Sequence, residues 1–171
     1  MILLISGPSH TGKTALAHRL MRREGIPYLS IDHLKMGLIR SGQTALTPCD
    51  ADDALTAYIW PILREMIKTA IENDQSMIIE GCYIPFDWRE SFGAEYLPHI
   101  RAVWLVMTQR YLQEHEADIQ RYASVVENRG EDEDLDLEAL REEHARTLER
   151  CRENGCEMVL IDGAYEVDVA L

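Results

Sequence analysis

Continuous apolar runs alternate along the chain with stretches whose apolar positions recur at helical spacing. The first run, Met1–Ser6 (MILLIS), ends at Gly-Pro, the pattern of a strand buried on both faces of a parallel sheet. From Thr14 to Glu24, Leu16, Ala17, Leu20 and Met21 repeat one helical face, and Gly25 with Pro27 marks its end. Pro27–Ile31 (PYLSI) reads as a short second strand, with Asp32 placed as the N-cap of a helix over His33–Arg40 that Ser41-Gly42 closes. In Asp50–Asn73 the positions Leu55, Ile59, Ile62, Leu63, Met66, Ile67, Ala70 and Ile71 predict a helix, which Pro61 is expected to bend or split. Ser76–Glu80 (SMIIE), Arg101–Met107 (RAVWLVM) and Glu157–Asp162 (EMVLID) predict strands three, four and five. Charge-rich helical stretches, Gln109–Arg129 and Leu135–Asn154, lie between the last two strands. Strands alternating with helices imply right-handed crossovers and an α/β fold, with a parallel sheet covered on both faces.

Composition narrows the class. At 171 residues, without an internal repeat or linker-like stretch, the chain has the size of one domain. No apolar run reaches the roughly 18 to 20 residues that span a bilayer, and Met1–Ile5 lacks a basic flank. A cytoplasmic protein with no membrane partner is the expectation. Cys49, Cys82, Cys151 and Cys156 form no Cys-x-x-Cys pair and read as reduced thiols. The net charge of −13 would repel a phosphate backbone, so no nucleic-acid partner is expected. Much of that acidity sits in Glu131–Glu138 (EDEDLDLE), a solvated tract.

The chemistry enters between the first strand and the first helix. Gly7-Pro8-Ser9-His10-Thr11-Gly12-Lys13-Thr14 fits G-x-x-x-x-G-K-[ST] at every fixed position, and both the strand and the helix that this phosphate-binding loop requires are predicted independently of it. Gly7, Ser9, His10, Thr11, Gly12, Lys13 and Thr14 are therefore the candidate nucleotide-binding residues. Glycines let successive N–H groups point into one concavity, and the helix adds the positive end of its dipole. Lys13 is expected to reach the β- and γ-phosphates as a surface-loop cation, and the Thr14 hydroxyl to ligate Mg²⁺. His10 reads as a solvent-facing spacer.

Ligands of open parallel sheets bind beyond the carboxyl ends of the strands, and three of those ends are acidic. Glu80, closing strand three, could hold a water on Mg²⁺ or orient an acceptor. Asp32 could accept a proton from an attacking hydroxyl or serve only as a helix cap. Asp162-Gly163-Ala164-Tyr165 could wrap a nucleotide base or be an ordinary turn. Phosphoryl transfer needs further cations, for which Arg121 and Arg129, and less so Arg110, are candidates in a cover after strand four. Lys35, Arg40 and Arg89 are candidates to bind an anionic acceptor near the ends of strands two and three. No histidine spacing supports a metal hydrolase.

Together these residues resemble the nucleoside and nucleotide kinase group of P-loop proteins, which includes adenylate and shikimate kinases. The resemblance covers most of the chain as element order, with only the phosphate loop specific. It implies a three-layer P-loop fold with strand order 2-3-1-4-5, ATP and Mg²⁺ as cofactors, an acceptor-binding segment at 32–73 and an arginine-bearing lid at 108–136. Adenylate kinases carry an Arg where this chain has Lys35, and shikimate kinases carry two acids where Asp32 is followed by His33-Leu34. The expected activity is transfer of the γ-phosphoryl group of ATP to a small-molecule acceptor, through a hydroxyl. A nucleoside monophosphate kinase is one alternative, and an ATP-dependent switch acting through a protein partner is another.

Overall fold

A computed structural model describes residues 1–122 and 136–170, with the side chains of 120–122 left aside. The five strands are β1 (Ile2–Ser6), β2 (Tyr28–Ser30), β3 (Met77–Glu80), β4 (Ile100–Met107) and β5 (Glu157–Ile161). They form one parallel sheet in the order β2-β3-β1-β4-β5. The helices are α1 (Lys13–Glu24), α2 (Ile31–Arg40), α3 (Asp52–Glu72), α4 (Gln109–Glu114), α5 (Glu116–Tyr122) and α6 (Leu137–Glu153), with short 3-10 turns at Trp88–Ser91 and Leu97–His99.

The continuous apolar runs divide between two cores by strand alternation. Ile2, Leu4, Ile79, Ala102, Trp104 and Val106 face α3 and the segment through Tyr83, Trp88 and Phe92. Leu3, Ile5, Ile78, Val103, Leu105 and Met107 face Leu16, Ala17 and Leu20 of α1, with α4, α5 and Leu140 of α6. Both faces are thus covered, which is why no strand alternates with polar residues. Helix α6 gives Leu140 to one core and Cys151 to the other.

Three local expectations are corrected. Helix α3 runs unbroken through Pro61. Pro61 and Ala57, whose carbonyl loses its donor, both lie on the exposed face, where water can take the missing bond. Helix α2 begins at Ile31 with Ser30 in the extended N-cap position, so Asp32 is a first-turn helical residue and not the cap. A carboxylate there still favours the helix through its dipole. The stretch after β4 is interrupted at His115, which separates α4 from α5.

Pairing of β1 with β3 sets Ile5 opposite Glu80, and pairing of β2 with β3 sets Ser30 opposite Glu80. The carboxyl ends of these strands therefore finish level beside the loop that follows β1. That loop lies where the chain order reverses about β1, the position at which open α/β sheets bind ligands.

Candidate active site

The loop from Gly7 to Thr14 is shaped by conformations few residues accept. Gly7 has φ 135°, and a Cβ on it would stand 2.3 Å from the Leu105 carbonyl oxygen of β4. Gly12 has φ 77°, and a Cβ there would meet the Tyr165 hydroxyl at 1.9 Å. Glycine is required at both positions because the opposing backbone and ring leave no room. The Thr11 hydroxyl braces the loop by donating to the Pro8 carbonyl at 2.9 Å, and Tyr165 Oη donates to the Thr11 carbonyl at 2.8 Å. The segment after β5 thus reaches the loop through Tyr165. Asp162 accepts from Thr108 Oγ1 at 2.7 Å and, as a pair, from Arg110 Nε and Nη2. Those bonds hold the Asp162 carboxyl below its ordinary range, Thr108 contributing most.

Lys13 departs from the expected surface cation. Its side chain is buried, with the residue only 7% exposed, and Nζ donates to the Gly7 carbonyl at 2.9 Å and the Pro8 carbonyl at 2.6 Å. The carbonyls satisfy the ammonium while its stem lies inside the loop. Thr14 Oγ1 donates to Glu80 Oε2 at 3.2 Å, and Glu80 is buried. A hydroxyl and a carboxylate oxygen side by side at a phosphate loop are the hard donors that Mg²⁺ takes. The residues present therefore fit a magnesium nucleotide, with Lys13, the loop N–H groups, Thr14 and Glu80 as its holders.

One strand further, Asp32 Oδ1 lies 2.6 Å from Lys35 Nζ, and Lys35 also donates to Tyr83 Oη at 2.9 Å. Lys35 is buried, and its ammonium lies 4.9 Å from the centre of the Tyr83 ring. Burial opposes the charge on Lys35, but the bonds to Asp32 and Tyr83 outweigh it and raise its pKa. Burial raises the Tyr83 hydroxyl in turn.

Cys82, between Glu80 and Tyr83, marks where the groups converge. Burial pushes its thiol up, Lys13 pulls it down, and Asp32 and Glu143 raise it again. Glu143 of α6 is itself raised by burial against the opposing effects of Lys13 and the Ser9 backbone N–H. The next residue, His144, is 1% exposed and accepts a hydrogen bond from the Met107 N–H at Nδ1 over 3.0 Å. Burial, then the charges of Lys13 and His10, hold its pKa at about 4.

That shift makes a prediction. The imidazole in the unfolded chain titrates near 6.5 and in the fold near 4, so between those values the unfolded state binds the proton that the folded state refuses. Stability falls as pH drops through this window, by about 3 kcal/mol from this group at pH 4 relative to its full value above pH 6.5. Urea unfolding of wild type and His144→Asn at pH 5 and pH 7 checks it. The wild type is expected to lose more stability on acidification than the variant, and equal losses would refute the assignment.

The remaining candidates are scattered. His10 is half-buried at φ 63°, not a solvent-facing spacer, and its charge acts on His144. Arg40 is exposed at the far end of α2. Arg89 lies 4.7 Å from the centre of the Trp88 ring, and its charge acts on Cys156 and Glu157, at the amino end of β5 and away from the phosphate loop. The Arg121 side chain and Arg129 lie outside the described residues. Cys82, Tyr83, Glu143 and His144 were not among the sequence candidates. The one signal for His144 was its place four residues after Leu140 and seven before Cys151, in an otherwise apolar stripe of α6.

No family model and no curated protein sequence matches the chain. Solved structures do. A tunicamycin resistance protein of Deinococcus radiodurans superposes with a TM-score of 0.57 at 14% identity, covering 92% of this chain and 84% of its own. A candidate kinase of Chloroflexus aurantiacus superposes at 0.51 with 19% identity, covering 82% and 77%. Dephospho-CoA kinase of Campylobacter jejuni superposes at 0.50 with 11% identity, covering 96% and 89%. Together with the strand order, these likenesses show the three-layer fold of P-loop kinases. No helix among the described residues is long and apolar enough to cross a membrane.

Proposed function

We propose that this protein is an ATP-dependent phosphotransferase acting on a hydroxyl of a small-molecule acceptor. The observation that carries the reading is the contact of Thr14 Oγ1 with buried Glu80 at the mouth of a glycine-shaped phosphate loop. A magnesium nucleotide held there would present its terminal phosphoryl group and neutralise part of the charge that develops on it. Lys13 is the loop cation, able to turn from the Gly7 and Pro8 carbonyls to phosphate oxygens.

On the acceptor side Asp32 supplies the base. A hydroxyl must lose its proton to attack phosphorus, and the Asp32 carboxylate is partly exposed beside the loop, with Lys35 fixing its orientation through Oδ1. Lys35 is committed to Asp32 and Tyr83, and Arg89 sits at the other end of the sheet. The charges of Lys35, Asp32 and Asp52 act on Tyr83, and those of Lys13, Asp32 and Glu143 on Cys82. With Lys35 paired to Asp32 and Lys13 given to the nucleotide, the carboxylates that remain disfavour a phosphorylated acceptor, because they repel a like charge. The lid arginines Arg121 and Arg129 belong to this proposal as cations for the transferred group, with Arg40 at its periphery.

ADP release measured across a panel of nucleosides, nucleoside monophosphates, sugars and amino-bearing alcohols tests the reading. Acceptor-dependent turnover with an uncharged or amino-bearing hydroxyl compound is expected. Turnover confined to nucleoside monophosphates would replace it with the nucleotide kinase alternative.

A further inference from the structure

The buried imidazole of His144 has no part in the chemistry above. Met107, its partner, is the last residue of β4. Two residues earlier in that strand, the Leu105 carbonyl lies against Gly7, the first residue of the phosphate loop. Glu143, the preceding residue of α6, faces the Ser9 N–H and Lys13. The ring therefore stands at the end of β4, alongside the loop, and Lys13 and His10 are the charged groups that act on it.

Its tautomer follows from its hydrogen bond. Nδ1 accepts from the Met107 N–H, so the neutral ring carries its proton on Nε2. Nε2 is buried and has no hydrogen-bond partner among the described residues. A buried donor left unpaired is costly, and the residue is 1% exposed, so bulk water does not relieve it.

We infer that His144 is a nucleotide-binding residue, whose Nε2–H donates to a polyphosphate oxygen of the nucleotide in the loop while Nδ1 stays on Met107. The inference rests on the nucleotide-binding part of the proposed function. A neutral donor suits this place, because the loop already holds Lys13 and a second full positive charge beside it would be repelled. The contact also ties α6, which follows the segment 108–136, to the phosphate loop through one side chain. Nucleotide binding would be felt by α6 through it.

The test uses the whole chain, histidine-labelled with ¹⁵N, together with calorimetric titration of Mg-ATP, ADP and AMP. His144→Asn retains an amide oxygen at the place of Nδ1 for the Met107 N–H but has nothing at the place of Nε2. His144→Gln carries an amide N–H that reaches the place of Nε2. In the wild type the Nε2–H resonance of His144 is expected to move downfield with ATP and ADP and to stay in place with AMP. His144→Asn is expected to bind ATP about 10- to 100-fold more weakly, the effect of losing a hydrogen bond to a charged group, with His144→Gln nearer the wild type. If wild type binds ATP while the Nε2–H resonance stays in place and His144→Asn binds equally well, the inference fails and the phosphotransferase reading stands. If wild type does not bind ATP, both fail together.

Discussion

Asp32→Asn is expected to lower kcat for a hydroxyl acceptor by about 10²- to 10⁴-fold, the contribution of a positioned general base. Asparagine has the same shape and offers an amide oxygen to Lys35, but it cannot take the proton. Asp32 does not cap α2, since Ser30 occupies the N-cap position, and its charge adds only the first-turn dipole effect, about 0.3–1 kcal/mol. Asp32 is about one-third exposed but its partner Lys35 is buried, so the loss of the carboxylate charge is expected to cost about 1–3 kcal/mol, less what the bond from Lys35 to the amide oxygen retains. For a chain of this length each kcal/mol moves Tm by about 2–4 °C. ATP affinity is expected to match the wild type, because the proposed function gives Asp32 to the acceptor and not to the nucleotide. Single-turnover kinetics with ATP and the acceptor, alongside thermal melts, separate the chemistry from folding. An undiminished rate with a nucleoside monophosphate acceptor, whose attacking oxygen is already anionic, would remove Asp32 from the chemistry and the hydroxyl reading with it.

Lys13→Met is expected to lower kcat/KM for ATP by about 10²- to 10³-fold, the order seen when one preorganised donor to developing charge is lost. Methionine keeps the buried stem and deletes the ammonium, which makes it a better probe than alanine at a residue 7% exposed. The loop keeps its other braces, Thr11 to Pro8 and Tyr165 to Thr11, so the chain remains folded. Circular dichroism and Mg-ATP titration of the variant provide the check. A folded variant with wild-type nucleotide affinity and turnover would deprive the phosphate loop of the role given to it.

The sequence by itself determined the parts of this protein whose physics is local. Runs such as MILLIS and RAVWLVM, short and bounded by turn residues, fit strands covered on both sides, and they became β1 and β4 in the interior of the sheet. The phosphate loop was equally legible, because G-x-x-x-x-G-K-[ST] is a statement about backbone conformation, and Gly7 and Gly12 adopt the positive φ it demands. The strand order came only through the resemblance to P-loop kinases, since hydrophobic pattern does not say which strand lies beside which.

Tertiary structure decided the rest. Whether Asp32 caps a helix or lies in its first turn depended on α2 starting two residues earlier, and the bond from Lys35 to Tyr83 crosses from α2 to the segment after β3, while that to Asp32 stays within α2. Arg89 was read near the acceptor because it follows strand three. Its segment instead carries it to the other end of the sheet, where it acts on Glu157. Glu143 and His144 looked like ordinary members of a charged helix, and only the docking of α6 against the end of β4 made one a neighbour of Lys13 and buried the other. Periodicity reports which face of an element is buried. Which charged groups meet at that face depends on register and on contacts between residues far apart in the chain, and local preference carries no record of either.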